Sequence, residues 1–281
     1  MTLVMGIVNV TPDSFSDGGR YADAEAAVAH GLALRGQGAH ILDVGGESTR
    51  PGAERVDPRL EQERALPVVR ALAGAGIAVS IDTLNASTAH AAVEAGARIV
   101  NDVSGGLADR EMFAAVAPTG ADIVISHWRG HSADMYARAE YADVATEVVT
   151  ELSSRVEEAA AAGIAPSRVI LDPGVGFGKK GAQNWATLQG LERVVALGPR
   201  VLVGTSRKRF LAEVLAEPLQ EDPADISEQR RDLATAVTSV LAAQLGAWAV
   251  RVHDVAATRD ALVVARSWEG DSRWASPTRS R

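Results

Sequence analysis

One sequence phrase recurs along the 281-residue chain and constrains its fold more than any other feature. An alanine-rich stretch of helical character ends at a glycine, and a short apolar run follows. Glycine supplies the left-handed turn that ends a helix, and continuous apolar runs rich in Val and Ile are typical of strands buried on both faces of a parallel sheet. With the opening run there are eight such predicted strands: residues 3–10, 39–44, 77–82, 98–102, 121–126, 168–172, 199–204 and 247–251.

Eight strand–helix units predict the α/β class and, within it, a single (β/α)8 TIM barrel. The segments between the apolar runs are long enough for helical crossovers, and a chain of this length suits one such barrel. The alternative is a doubly wound open sheet. No G-x-G-x-x-G follows the first strand, which counts against a dinucleotide-binding form of that sheet. In a barrel, the active site would lie at the C-terminal ends of the strands.

Local patterns predict element boundaries within one domain that spans residues 1–270. Asp23 precedes an alanine-rich run and Asp57 precedes Pro58, so each aspartate is predicted to begin a helix. Residues 218–231 are polar with two prolines and are predicted to form a surface loop in the seventh unit. Residues 271–281 are rich in Ser and Arg, which predicts a disordered tail.

Charge and composition exclude several classes of function. The net charge of −8 argues against general nucleic-acid binding, which needs a basic surface. The chain has no cysteine, so disulfides and thiolate catalysis are excluded. We see no uncharged apolar stretch of about 18 residues for a membrane span and no basic region typical of a signal peptide. We therefore expect a cytoplasmic protein without nucleic-acid or membrane partners.

Polar side chains gather where the predicted strands end. The C-terminal ends of barrel strands meet at one rim, so these side chains should lie close together. Buried ionisable groups cost several kcal/mol unless they are paired, and a full ring of them therefore predicts a polar ligand. The rim residues are Asn9, Asp43, Asp82, Asn101, Asp102, Ser126, His127, Asp172, Lys208, Arg251 and His253.

The acidic part of this rim suits a flat heterocycle that carries several N–H donors. A carboxylate accepts two parallel hydrogen bonds from an amino-amidine edge, as it does from arginine. Three carboxylates and one carboxamide are placed for such contacts: Asp43, Asp82, Asp172 and Asn101.

The basic part of the rim predicts an anion site. Lys208, Arg251 and His253 supply positive charge, and the N-terminus of the last helix follows Asp254. A phosphate or pyrophosphate is the natural occupant. The pair Lys179-Lys180, by contrast, is predicted to be solvated.

Seven strings of this sequence resemble the dihydropteroate synthases, a family of pterin-binding TIM barrels. The most specific strings are residues 6–19 and residues 43–52. The others follow in order at barrel spacing: residues 80–83, 101–106, 171–177, 206–208 and 251–254. The resemblance runs from about residue 4 to about residue 268.

The resemblance implies an activity and its partners. Such enzymes condense 6-hydroxymethyl-7,8-dihydropterin pyrophosphate with p-aminobenzoate, with the help of Mg²⁺, to give 7,8-dihydropteroate and pyrophosphate in folate biosynthesis. Sulfonamides would compete with p-aminobenzoate. The resemblance also implies a homodimer through the outer helices.

Roles for individual residues follow from the same resemblance. The pterin-binding set would be Asp82, Asn101, Asp172 and Lys208. Asn9 would contact Mg²⁺ and pyrophosphate, and Arg251 and His253 would hold the pyrophosphate. Asp17 would stabilise the closed site, which makes Asp17, Asp82, Asp172 and Lys208 the catalytic set. The p-aminobenzoate pocket would form when the first two loops close, from Phe15, Thr49, Arg50, Pro51 and Phe177.

Two positions depart from the family pattern, and three rival functions stay open. Many relatives carry Met at the position of Ser126, and some carry Ser at the position of Arg209, so neither residue is given a role. The rivals are a methyltetrahydrofolate methyltransferase barrel, a catalytically silent pterin-binding relative and a phosphosugar barrel enzyme. The first needs a corrinoid partner and no anion cluster. The second would not need the intact set of Asn9, Asp17, Arg251 and His253.

Overall fold

The computed structural model describes residues 1–10, 19–47, 55–130, 136 and 139–270, with the backbone alone for residues 19–23. It contains eight strands: β1 (Leu3–Asn9), β2 (Ile41–Gly45), β3 (Ala78–Asp82), β4 (Ile99–Asp102), β5 (Asp122–Ser126), β6 (Val169–Asp172), β7 (Arg200–Val203) and β8 (Ala249–Val252). Each strand pairs in parallel with its neighbours in chain order, and β1 pairs with β8 to close a barrel. The prediction of a TIM barrel is confirmed, and the open sheet is excluded.

All eight predicted strands are present, with ends that agree to within two residues. The helices of the described residues surround the barrel: α1 (Gly19–Gln37), α2 (Pro58–Gly74), α3 (Ala86–Glu94), α4 (Met112–Val116), α5 (Val144–Ala161), α6 (Ala182–Gln189), α7 (Leu191–Val195), α8 (Arg209–Ala216), α9 (Glu228–Gln244) and α10 (Val255–Trp268). None of these helices is long and apolar enough to cross a membrane.

Of the two predicted helix starts, one is confirmed and one is wrong. Asp57 precedes α2 as expected, and its side chain accepts a hydrogen bond from the backbone N–H of Arg59 at 2.9 Å, with Pro58 as the first helical residue. The prediction for Asp23 was wrong, because α1 already begins at Gly19. No proline interrupts residues 19–22, so the helix extends past the aspartate toward the N-terminus.

The predicted surface loop at residues 218–231 is shorter than expected. Short 3₁₀ turns occupy Glu217–Leu219 and Pro223–Asp225, but α9 begins at Glu228. Ser227 caps this helix by accepting a hydrogen bond from the N–H of Arg230 at 3.4 Å. The last four residues of the predicted loop are therefore helical.

The barrel interior is filled by one layer of apolar side chains. This layer draws one buried residue from each of seven strands: Met5, Ile41, Ile99, Val124, Ile170, Leu202 and Ala249. A second and larger cluster packs the outer faces of the strands against the helices. Because both faces of every strand are covered, the strands have the continuous apolar sequences from which they were predicted.

Gly174, directly after β6, has the tightest surroundings of the glycines that adopt positive φ. At φ +66° a Cβ would lie 2.1 Å from the carbonyl oxygen of His127. Gly76 has a similar φ of +78°, but a Cβ there would meet nothing within 4 Å. The two positions therefore separate backbone strain from steric exclusion.

We predict that Gly76→Ala lowers the free energy of unfolding by about 1–2 kcal/mol, the cost of a left-handed conformation for an L-residue. Gly174→Ala should lower it considerably more, because the added methyl also displaces the His127 carbonyl. Urea unfolding of the two variants measures the difference. Equal losses would show that the end of β5 moves aside at no cost.

Candidate active site

Strand alternation lifts the polar residues directly above the apolar layer of the barrel. Side chains two residues apart on a strand share a face. Inside the barrel, this alternation places Asp43 after Ile41, Asn101 after Ile99 and Asp172 after Ile170. It likewise places Ser126 after Val124 and Arg251 after Ala249. The predicted rim is therefore a second internal layer, at the C-terminal ends of the strands.

The same alternation removes two of the predicted rim residues from this layer. Asp102 follows Asn101 and anchors the loop after β4, where its carboxylate accepts hydrogen bonds from the N–H groups of Ser104 and Gly106 at 2.8 and 2.5 Å. His127 follows Ser126, and its ring packs against a buried lysine outside the layer. Both are buried, but neither faces the other rim carboxylates.

Arg251 lies between two buried carboxylates at the centre of the layer. Its Nε donates to Oδ2 of Asp43 at 2.6 Å, and its Nη2 donates to Oδ2 of Asp82 at 2.7 Å. Asn101 donates from Nδ2 to the same oxygen of Asp43 at 2.9 Å. One guanidinium thus compensates two carboxylates, while the Arg251 side chain remains 20% exposed.

This arrangement raises the pKa of Asp82 above its usual value. Burial is the main cause, the Arg251 charge opposes it, and the neighbouring Asp43 charge adds to it. Among the described residues, Oδ1 of Asp43 and Oδ1 of Asp82 have no hydrogen-bond partner. A buried acceptor without a partner is costly, so both oxygens suit a ligand that donates N–H groups.

Asp172 and Lys208 form the neighbouring part of the site. Oδ1 of Asp172 accepts a hydrogen bond from the N–H of Gly174 at 2.7 Å. Lys208 donates from Nζ to the carbonyl of Val175, and Nζ lies 4.5 Å from the ring centroid of Phe177. Burial lowers the pKa of Lys208 to about 8, against the opposing charge of Asp172. The structure therefore brings Asp172, Lys208 and Phe177 together.

The position of Lys208 depends on a contact that sequence reasoning missed. The preceding residue, Arg207, adopts a left-handed conformation with φ 57°, which is unusual for a residue other than glycine. Its guanidinium donates two hydrogen bonds of 2.8 Å to the carboxylate of Asp232 on α9. This bidentate pair stabilises a backbone turn that directs Lys208 towards the loop after β6.

His253 sits on the basic part of the rim with Ser206. The Oγ of Ser206 lies 2.8 Å from Nδ1 of His253 and accepts a hydrogen bond from the His253 backbone N–H at 3.1 Å. Asp254 caps α10 by accepting from the N–H of Ala257 at 2.9 Å. The last helix thus begins beside His253, as the sequence predicted.

Three further positions can be placed. Asn9 is the last residue of β1 and pairs in register with Gly45 at the end of β2. Ser126 is buried at the end of β5, where its Oγ has no hydrogen-bond partner among the described residues. Arg209 faces solvent with an 83% exposed side chain and pairs with Glu213 one helical turn away. That exposure places Arg209 outside the polar layer.

A buried network beside the site was also missed. Arg55 pairs with Glu47 at 3.0 Å and donates to Oδ1 of Asn85 at 2.6 Å. Asn85 in turn donates to the fully buried Glu61 of α2 at 2.8 Å. Burial raises the pKa of Glu47. The network joins the end of β2 to α2 and to the start of α3, through contacts that no single motif indicates.

One prediction about this region was wrong, and several cannot be located. Lys179 is 1% exposed rather than solvated, although Lys180 is exposed as expected. The loop that follows β6 folds back over Lys179 and covers it. The predicted residues Phe15, Asp17, Thr49, Arg50 and Pro51 lie outside the described residues, as does the predicted tail at 271–281.

A barrel whose internal polar layer joins buried carboxylates to an arginine, a lysine and a histidine has the donor and acceptor groups for a charged heterocyclic ligand. Residues 5–253 match the family described as pterin binding enzyme. The chain therefore belongs to the pterin-binding enzymes, and within them to the dihydropteroate synthase family.

Individual relatives support this placement over most of the chain. The chain is 54% identical over 266 residues to the dihydropteroate synthase of Mycobacterium leprae, covering 94% of this chain and 93% of that protein. It is 42% identical over 255 residues to the Bacillus subtilis enzyme, covering 90% and 84%. Among solved structures, the Xanthomonas albilineans dihydropteroate synthase with 4-aminobenzoic acid has a TM-score of 0.86 at 43% identity, covering 95% and 93%.

We predict that binding of 6-hydroxymethyl-7,8-dihydropterin weakens as the pH falls through the pKa of Asp82, because protonation removes a charged acceptor. Asp43→Asn should move this transition to lower pH, since it removes the like charge that helps to raise the pKa of Asp82. Burial raises this pKa to about 7, so calorimetric titrations on both sides of neutral pH measure the midpoint. Asp260→Asn, at an exposed position on α10, is the control. An unchanged midpoint in Asp43→Asn would show that Asp82 is not the titrating group.

Proposed function

We propose that this chain condenses 6-hydroxymethyl-7,8-dihydropterin pyrophosphate with p-aminobenzoate to give 7,8-dihydropteroate and pyrophosphate. The observation that carries the proposal is the buried polar layer, in which carboxylate oxygens that have no hydrogen-bond partner in the described part of the chain lie beside a basic rim. Solved relatives agree with it: one Xanthomonas albilineans dihydropteroate synthase is described in complex with 7,8-dihydropteroate.

The pterin ring would be bound by the acidic side of the layer. Asp82 and Asp172 would accept N–H groups from the edge of the ring, and Asn101 can both donate and accept. Asn101 is oriented by its own bond to Asp43, so its remaining groups face the layer in a fixed direction. Lys208 lies against Asp172 and would contact an acceptor on the ring.

The reaction would proceed by early loss of pyrophosphate. The C–O bond of the pterin methylene breaks, its electron pair leaves with the pyrophosphate, and the electron-rich ring stabilises the resulting cation. Asp82 and Asp172 would stabilise that cation electrostatically in a site with little water. The neutral aniline nitrogen of p-aminobenzoate then attacks the methylene carbon and loses a proton. No covalent enzyme intermediate is required.

Arg251 and His253 would neutralise the leaving pyrophosphate. Arg251 is positively charged and partly exposed, and His253 stands at the start of α10, whose N-terminus favours anions. Ser206 fixes the orientation of the His253 ring through its contact with Nδ1. Arg251 lies on β8, and Ser206 and His253 lie on the loops that follow β7 and β8.

The residues fit a magnesium ion that is held mainly by its substrate. The described residues contain no cluster of three or more His, Asp or Glu side chains that could hold a metal. Magnesium commonly keeps several waters and binds through one or two protein oxygens together with substrate phosphates. The side-chain oxygen of Asn9 would be such a ligand, and the bound ion would act as a Lewis acid on the pyrophosphate.

The p-aminobenzoate pocket is proposed mainly from the resemblance in sequence. Phe177 is placed beside Lys208, on the loop after β6. Phe15, Thr49, Arg50 and Pro51 would complete the pocket, and Asp17 would stabilise it when closed. A Yersinia pestis dihydropteroate synthase is described in a sulfonamide drug complex, and we expect sulfonamides to compete with p-aminobenzoate here as well.

We also propose that the chain forms a homodimer in the cytoplasm. Leu233, Val237 and Leu241 follow one another at four-residue spacing on α9, and each is more than half exposed. Val264 and Trp268 on the adjacent helix α10 extend the same apolar surface. Exposed apolar patches of this kind mark protein interfaces.

If α9 and α10 form the dimer interface, Val237→Glu should convert the protein to a monomer, because the interface would bury an unpaired charge. Leu107→Glu, in the loop after β4 on the opposite side of the barrel, introduces the same charge at a similarly exposed apolar position and should leave the dimer intact. Light scattering coupled to gel filtration gives both masses. A monomeric wild-type protein would contradict the proposal.

Pyrophosphate release from the pterin pyrophosphate tests the function, with and without p-aminobenzoate and magnesium. We expect release to need magnesium and dihydropteroate to form when p-aminobenzoate is present. A folded protein that binds the pterin without turnover would instead be a silent relative. Failure to bind any pterin would favour a phosphosugar enzyme.

We predict that Arg251→Ala lowers turnover of the pterin pyrophosphate at least ten-fold. Loss of one charge-assisted contact costs about 1.5–3 kcal/mol, and about 1.4 kcal/mol corresponds to a factor of ten. Arg209→Ala removes a solvent-exposed arginine of the same rim region and should leave turnover unchanged. Circular dichroism should accompany the assay, because Arg251→Ala also leaves Asp43 and Asp82 without their counter-charge. Unchanged kinetics in a folded Arg251→Ala protein would end the assignment.

A further inference from the structure

Lys179 is a buried ionisable group that the proposed reaction does not use, and burial lowers its pKa to about 7 against the opposing charge of Asp172. It follows the loop after β6, and its ammonium donates to the carbonyls of Gly174 and Phe177 at 2.9 and 3.2 Å. A third contact of 2.9 Å joins Nζ to Nδ1 of His127. These three contacts use all three N–H donors of a lysine. The side chain is therefore fully satisfied where it lies.

His127 connects this lysine to the outside of the barrel. Burial lowers the pKa of His127 to about 4, so the ring is neutral near pH 7 and Nδ1 can accept from Lys179. Nε2 lies 2.9 Å from Oε2 of Glu151 on α5, and Glu151 is paired with Arg129. The buried lysine is thus anchored, through one imidazole, to an ion pair at the protein surface.

The loop at residues 174–178 is held from its other side by Lys208. The carbonyl of Val175 accepts from Nζ of Lys208, whereas the carbonyls of Gly174 and Phe177 face Lys179. A Cβ on Gly176 would lie 2.7 Å from Cδ of Lys208, so the loop and this lysine are in close contact. Two lysines thus donate hydrogen bonds to three carbonyls of one short loop.

This loop also fixes two residues of the site. The backbone N–H of Gly174 donates to the carboxylate of Asp172, and the ring of Phe177 lies against Nζ of Lys208. A displaced loop would change the orientation of Asp172 and the surroundings of Lys208 together. Tyr141 supports the same segment by donating to the carbonyl of Gly178 at 2.9 Å.

We propose that Lys179 is a positioning residue for the pterin end of the active site. It holds the loop at residues 174–178 in the conformation that orients Asp172 and places the Val175 carbonyl and the Phe177 ring on Lys208. Its effect on catalysis rests on the proposed function, whereas its effect on the loop does not. Neither Lys179 nor His127 contacts the substrate in this proposal.

The test compares Lys179→Met with Lys180→Met, which alters the exposed neighbouring lysine in the same way. Lys179→Met keeps an unbranched side chain one atom shorter than lysine and removes its N–H donors. We expect backbone amide hydrogen exchange at residues 174–178 to accelerate at least ten-fold in Lys179→Met alone. We also expect the Kd for 6-hydroxymethyl-7,8-dihydropterin and the KM for its pyrophosphate to rise about ten-fold, with a smaller change in kcat.

Glu151→Gln provides a second variant in case Lys179→Met does not fold. Glu151 lies partly exposed on α5 and reaches the loop through His127 and Lys179, and also through Arg129, which stacks on Tyr141. Glu151→Gln should accelerate amide exchange in the loop and raise the Kd for the pterin, each by about three-fold. Lys179→Arg, which retains a positive charge and donors, should recover part of the pterin affinity lost in Lys179→Met.

The outcomes separate this proposal from the proposed function. Exchange and pterin affinity equal to those of Lys180→Met would overturn it, and so would a mobile loop with unchanged pterin affinity. A wild-type protein that binds pterin but releases no pyrophosphate would overturn the proposed activity and leave the exchange and affinity results to decide the role of Lys179.

Discussion

The active layer depends on the contact between one guanidinium and two buried carboxylates. Asp43 and Asp82 are fully or nearly fully buried on neighbouring strands, and Arg251 reaches both of them from β8. Without that charge, two buried carboxylates would lie close together with no counter-charge, which is strongly unfavourable. With it, the strands can carry acidic groups in their interior and still leave one oxygen of each group for a ligand. Binding capacity and charge compensation therefore come from the same three side chains.

Most of the fold and the central site could be predicted, because both follow from strand periodicity. Continuous apolar runs located all eight strands, and polar residues at their C-terminal ends predicted Asp82, Asn101, Asp172 and Arg251 at one rim. Alternation also explains why the neighbours Asp102 and His127 were grouped with them wrongly. In a linear sequence, the last residue of a strand and the residue before it are equally good candidates for the rim.

The remaining features depend on contacts between distant segments. Nothing near Lys179 in the sequence distinguishes it from Lys180, and its burial becomes apparent only when β5 brings His127 beside it. The left-handed conformation of Arg207 is likewise stabilised by Asp232 on α9. The start of α1 was misplaced for a different reason: a good capping residue can also lie inside a helix that begins earlier. Residue type alone cannot choose between these positions.

The apolar layer beneath the site affects the order in which ligands can reach it. Seven side chains from seven strands fill the barrel below the carboxylates, so the interior offers no passage to the opposite end. Every molecule must enter and leave through the same mouth. Whatever occupies Asp82 and Asn101 at the floor has to arrive before a molecule that binds nearer the rim. The packing of the barrel thereby imposes an order of arrival, without any moving part.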